Sequence, residues 1–174
     1  MKSKTSPFIL PSLILFGLLL TDGFLSIVIK SFFPDDLKMM VPRMMLMGLI
    51  FFSFHLDFKK LIMLTFLIGF VYDSYYSGIL GIYMFFLVLL VNMVFHFKNF
   101  FNRNFWTIGL FQILFITVFE FMVYGIYYMI DFTSFTLIDF LAIRLGYTLL
   151  LNVMMFPTIY FPLNHLMKKT VNSK

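Results

Sequence analysis

The sequence predicts an all-α, multi-pass integral membrane protein. Six transmembrane helices form a single domain, with both termini cytoplasmic. Three observations carry this. Of 174 residues, 61% are hydrophobic and only 12% charged, whereas soluble domains run at ~45–50% apolar and ~25% charged. Mean hydropathy is +0.98, and a soluble domain of ~150 residues buries only ~70% of its chain surface. The apolar residues fall into runs separated by short polar turns, and Lys and Arg gather on alternate turns. A soluble enzyme, a nucleic-acid binder and a disordered tail are excluded. At ~20 residues per crossing, six spans use nearly the whole chain.

Span one covers residues 8–29. Lys2 and Lys4 precede it, but the run continues past Leu20 to Ile29 with no small-residue cleavage site. It therefore reads as an uncleaved helix and not as a signal peptide. Phe33-Pro34-Asp35-Asp36 is a turn, because Pro ends a helix and Asp suits a cap. Span two covers 42–56, with Pro42 suited to a first helical position. It is short, ~24 Å at 1.5 Å per residue. Spans three and four, at 61–76 and 79–97, are parted by Ser77-Gly78. Span five covers 105–130 and span six 138–163, where Pro157 and Pro162 predict kinks.

The charges give orientation. Lys2, Lys4, Lys59, Lys60, Lys98, Arg103, Lys168, Lys169 and Lys174 lie on the N-terminal side, nine of the thirteen cations. Lys30, Lys38 and Arg43 fall on the opposite loops, and Arg144 lies inside span six. The positive-inside rule then places both termini in the cytoplasm, which requires an even number of spans. Tyr72, Tyr75, Tyr76, Tyr124, Tyr127 and Tyr128 fall at outer span ends and Trp106 at an inner end. They read as interfacial anchors, since such rings are apolar with a tip that needs water.

Four charges sit where charge is costly: Asp22, Asp73, Glu120 and Arg144. Each costs at least ~2.5–3.5 kcal/mol near the bilayer centre and is expected to pair or line a polar cavity. At 1.5 Å per residue all four fall within about 15 Å of the outer face. They predict a polar cluster in which Arg144 bonds Glu120 or Asp22, since a guanidinium can serve two carboxylates. That pairing predicts reduced accumulation of Arg144→Ala and partial rescue when its partner is also removed. Asn92, Gln112 and Asn152 are intramembrane amides of the kind that bond across helices. The pairs Ser74/Gly78 and Ser77/Gly81, each four apart, suit close helix approach. No cysteine is present, and His55, His96 and His165 have no ligand-type spacing. No phosphate loop, nucleophile elbow or zinc motif occurs. Neither a metal, a cofactor nor an enzymatic activity is expected.

Gly69-Phe70-Val71-Tyr72-Asp73, then Ser74 to Gly78, then Ile79-Leu80-Gly81-Ile82 resembles the central signature of the bacterial rod-shape-determining MreD family. That signature has a Gly four residues before an Asp and a Gly eight residues after it. Phe33-Pro34-Asp35 with Pro42-Arg43 resembles the family's first outer loop and second span. Asn152, Pro157 and the Lys168-Lys169 tail resemble its last span and exit. The aromatic turn Ser74-Tyr75-Tyr76-Ser77 departs from the family's more aliphatic pattern. The resemblance covers roughly residues 8–169 and carries over Gly69, Asp73, Gly78 and Gly81. Asp22, Glu120, Arg144 and Asn152 come from the residues alone.

The resemblance implies a non-enzymatic scaffold of the cell-elongation machinery in the bacterial cytoplasmic membrane. The implied partners are an MreC-like single-span protein and, indirectly, MreB, RodA and a class B transpeptidase. Nucleic acid is not a partner, and self-association stays open. The alternative is the substrate-binding membrane subunit of an energy-coupling vitamin transporter. Such a subunit is also a six-span protein, with a polar and aromatic pocket at its outer side. Its coupling surface is commonly Ala-rich on the first helix, and span one here has no Ala.

Overall fold

The computed structural model describes residues 9–32, 39–77, 79–100 and 103–171, and every regular element among them is helical. The order is α1 (Ile9–Phe32), α2 (Met44–Ser53), α3 (Phe58–Tyr72), α4 (Ile82–Phe97), α5 (Phe105–Met129), α6 (Leu137–Asp139) and α7 (Gly146–Val171). A π-helical turn, Asp73–Ser77, extends α3, and a second, Phe140–Leu145, joins α6 to α7. Four stretches are long and apolar enough to cross a membrane: Ile9–Phe32, Ile82–Phe100, Phe105–Met129 and Leu137–Lys168. The shorter α2 is also apolar.

α2 is the hub. It packs against α1, α3, α4, α5 and α7, and every residue from Met45 to Ser53 is buried. Its sequence, Met-Met-Leu-Met-Gly-Leu-Ile-Phe-Phe-Ser, is apolar on all sides, and a helix apolar all round is stable only when enclosed. Gly48 makes room for α1, since a Cβ there would lie 2.6 Å from Leu18 Cδ1. Ring contacts wrap the lower half: Phe51 on Tyr160, Phe54 on Phe111, and Phe111 on Phe115. Exposed apolar residues such as Leu13, Phe24 and Ile27 on α1 form the outward surface, as expected where lipid is the solvent.

The second helix is shorter than the expected 42–56. Pro42 does not begin it, because residues 39–43 are non-helical and α2 starts at Met44. The reason is that side chains of the last helix satisfy this stretch's backbone in place of helical bonds. Spans three and four also differ in detail: α3 begins at Phe58 and α4 only at Ile82. The last helix continues to Val171 with Pro157 and Pro162 inside it. The turn at 33–36, Lys2, Lys4, Lys38, Lys174 and Gly78 lie outside the described residues.

Lys98 has a role that counting loop charges did not give it. Its Nζ donates to Ser53 O at the end of α2 (2.6 Å) and lies 3.4 Å from the centre of the Phe95 ring. A cation suits a helix C-terminus, where unpaired carbonyls carry partial negative charge. On the same side, Lys60 pairs with exposed Asp57 at 2.8 Å, and that contact holds the Asp57 carboxyl below the usual carboxylate range.

Candidate functional site

The signature Gly69–Asp73–Gly81 is a device for closing a helical hairpin. A helix begins with N–H groups that have no intrahelical partner. At the start of α4 three nearby N–H groups donate to one carboxylate: Gly81 N to Asp73 Oδ2 (2.8 Å), Tyr83 N to Oδ1 (3.0 Å) and Met84 N to Oδ2 (3.0 Å). Asp73 is 1% exposed, and its negative charge meets the positive end of the helix dipole. The π-helical turn carries the side chain over that end. Gly81 has φ +103°, a conformation that an L side chain rarely adopts. Gly69 permits the approach of α3 to α4, since a Cβ there would lie 2.6 Å from Met84 Cα. Gly69 meets a neighbouring backbone, whereas nothing lies within 4 Å of a Cβ built at Gly81. Gly78 lies outside the described residues.

α2 starts in the same way with different donors. Met44 N and Met45 N donate to Asp22 Oδ1 (2.7 Å) and Oδ2 (3.0 Å). Asp22 comes from α1, twenty-two residues away. It therefore caps a helix and does not pair with Arg144. The preceding strip 39–43 is held by α7. Arg43 N donates to Asn152 Oδ1 (2.8 Å), and Asn152 Nδ2 donates to Val41 O (2.9 Å) and Thr148 O (2.7 Å). Val41 N donates to Thr148 Oγ1 (3.3 Å), and Met39 N to Ile143 O (3.1 Å). Non-helical backbone at membrane depth is tolerated only when protein satisfies it in this way.

Glu120, on α5, is fully buried and joins two guanidinium groups. Arg43 Nε donates to its Oε1 (2.7 Å), with Nη2 2.5 Å from the same oxygen. Arg144 Nε donates to Oε2 (3.1 Å). Arg43 Nη1 also donates to Tyr72 Oη (2.9 Å), and its guanidinium lies over the Tyr83 and Phe119 rings at 5.5 and 5.1 Å. The structure thus brings Glu120, Arg144 and Asn152 to one region, with Asp22 beside them at the start of α2. Asp73 serves the other helix.

Arg43 is the residue that charge counting misassigned. It reads as a loop cation after Pro42, yet it is 2% exposed. Tyr72 reads as an interfacial anchor, yet its hydroxyl accepts from Arg43. One signal could have found this: Thr148 and Asn152 are four apart on a long apolar helix and share a face. Such a polar pair calls for a backbone or side chain to satisfy.

The site's chemistry is ion pairing and backbone capping. Among the described residues no group of three His, Asp or Glu is placed to hold a metal ion. Two apolar clefts flank α5. One of about 330 Å³ lies between α5 and α7, lined by Gly109, Gln112, Asn152 and Phe156, and one of about 710 Å³ lies toward α4. None of Asp22, Asp73, Glu120 and Arg144 lines either cleft.

The chain matches the family model described as "rod shape-determining protein MreD" over residues 6–170. It is 30% identical to the Rod shape-determining protein MreD of Bacillus subtilis (strain 168) over 146 residues, 84% of each chain. No solved structure matches.

Proposed function

The chain belongs to the MreD family of rod shape-determining proteins, and from that premise we propose that it is a non-enzymatic scaffold of the cell-elongation machinery. The observation that carries this is the family match across nearly the whole chain, which supports a role in rod-shape determination. The interior agrees with a scaffold: its charged residues are engaged with one another and with helix ends. In this reading the bundle grips the transmembrane helix of an MreC-like single-span protein and sets its position. MreB, RodA and a class B transpeptidase are reached through that partner, and peptidoglycan synthesis is organised around it.

The proposal includes topology. Six crossings follow if α2 with its preceding strip and α3 with its π turn each cross. Nine cations, four on turns and five at the termini, then share one side, and the positive-inside rule favours the cytoplasm for that side. The chain has no cysteine, so single cysteines introduced at Lys4, Lys60, Asp131 and Lys174 can be labelled from either side. Labelling of Asp131→Cys alone from outside is expected. External labelling of Lys174→Cys would break the six-span topology.

Affinity purification of the tagged protein from native membranes in mild detergent, with mass spectrometry, tests the function. Recovery of an MreC-like protein and wall synthases is the expected result. Recovery of paired ATPase subunits with a coupling membrane protein would favour the vitamin-transporter reading. The geometry weighs against that reading, because the charged residues Asp22, Asp73, Glu120 and Arg144 line neither cleft.

A further inference from the structure

The two guanidinium groups on Glu120 are not equivalent. Arg43 is enclosed, with all three nitrogens within hydrogen-bonding distance of Glu120 or Tyr72. Arg144 contributes only Nε, to Glu120 Oε2, and its side chain remains 22% exposed. Among the described residues its two Nη atoms have no hydrogen-bond partner. The nearest acid along the chain, Asp139, is taken by the backbone N–H and hydroxyl of Thr136. An arginine at this depth is costly without an anion, and the carboxylate it uses is already shared.

The setting says which anion fits. Arg144 lies in the π-helical turn Phe140–Leu145, a rare conformation that recurs at functional sites. Side chains on this segment lean toward its N-terminal end, and a long cation can extend its head toward the interface there. The flank is lipid-facing: Ile138 is 77% and Leu141 42% exposed. At the same end of the bundle lie Tyr124, stacked on Phe140 at 4.2 Å, and Tyr128, 57% exposed. Such rings mark headgroup level. A partly exposed guanidinium with its Nη edge unused, beside exposed apolar residues near that level, matches a phosphate, which it can bind through two parallel N–H···O bonds.

We propose that the open edge of Arg144 binds the phosphate group of a phospholipid, in the leaflet on the side of the α5–α6 loop, with Glu120 holding the guanidinium in place.

The test uses the full chain in detergent and native mass spectrometry with three probes: dioleoyl phosphatidylglycerol, dioleoylglycerol with the same chains but no phosphate, and inorganic phosphate. The wild type is expected to retain phosphatidylglycerol at least about tenfold better than dioleoylglycerol. Arg144→Gln, which keeps a hydrogen-bond donor, is expected to abolish that preference, and Arg144→Lys to keep part of it. Leu141→Glu leaves the Arg144–Glu120 contact intact and places a competing carboxylate on the exposed flank. It is expected to abolish the preference as well, so the outcome does not depend on one variant folding. Competition by inorganic phosphate in the wild type alone would support the phosphate chemistry and identify free phosphate as a second source. Equal retention of the two lipids by the wild type would overturn the proposal. So would an unchanged preference in Arg144→Gln and Leu141→Glu.

Discussion

Two helices in this bundle start at buried aspartates, and the comparison between them is instructive. At α4 the aspartate lies eight to eleven residues before the N–H groups it accepts from. The glycines it needs lie on either side of it. At α2 the same service comes from α1, while α7 and α5 supply the amide and carboxylate that hold the preceding strip and Arg43. The first start is a local motif. The second is a meeting of four elements, with partners up to 111 residues apart. Similar chemistry is therefore compact at one end and distributed at the other. A single substitution should damage the distributed start most where it strands a charge, and the local start most where it strands backbone.

The largest effect is expected at the distributed start. Glu120→Ala leaves Arg43 buried and unpaired, a loss of about 3–5 kcal/mol by analogy with broken buried pairs. Membrane accumulation should fall sharply, together with the thermal unfolding midpoint in detergent. A midpoint within error of the wild type would break the argument that Glu120 anchors the α2 start.

The next pair sharpens the comparison directly. Asp73→Ala strands three N–H groups and Asp22→Ala two, at about 1 kcal/mol for each group left unsatisfied. Asp73→Ala is expected to be the more destabilising, with the difference read from unfolding midpoints of the two variants. The reverse order would show that the charge of Asp22 near Arg43 outweighs its capping.

A smaller loss is expected from Gly69→Ala. The added methyl meets backbone at Met84 and not a yielding side chain, and overpacking of this kind costs about 1–3 kcal/mol. Gly17→Ala is the control, because nothing lies within 4 Å of a Cβ there. Equal behaviour of the two variants would remove Gly69 from the hairpin argument.

The smallest loss belongs to Arg144→Ala, which gives up one charge-assisted bond at a half-open site, about 1.5 kcal/mol. The shared carboxylate revises one expectation. If Arg144 and Glu120 were an isolated pair, adding Glu120→Ala would partly rescue. Because Arg43 depends on the same carboxylate, the double variant is expected to be worse than Arg144→Ala, as measured by accumulation and unfolding midpoint. Rescue would show that the Arg43 contact contributes little.

The local hairpin could be read in the sequence as a spacing. Gly69, Asp73 and Gly81 stand close enough along the chain that one turn geometry brings them together. What the spacing did not say was the job of Asp73, which is to accept from the backbone of the next helix. At the distributed start the residue types were legible and their pairing was not. Asp22, Glu120, Arg144 and Asn152 stood out because polar groups are expensive in a bilayer. Which of them meet depends on how five helices pack around α2.

The sequence by itself determined that the chain is helical, apolar and bound for a membrane, because composition and run length set the cost of every alternative. It also placed the costly residues. Only the tertiary structure decided that Arg43 is an interior residue, that Asp22 caps α2, and that Glu120 is shared by two arginines. The physical reason is range. Helix formation and membrane partition are decided within one turn or one run of residues. The partner of a buried charge is chosen by packing, which joins positions remote along the chain once their helices are side by side.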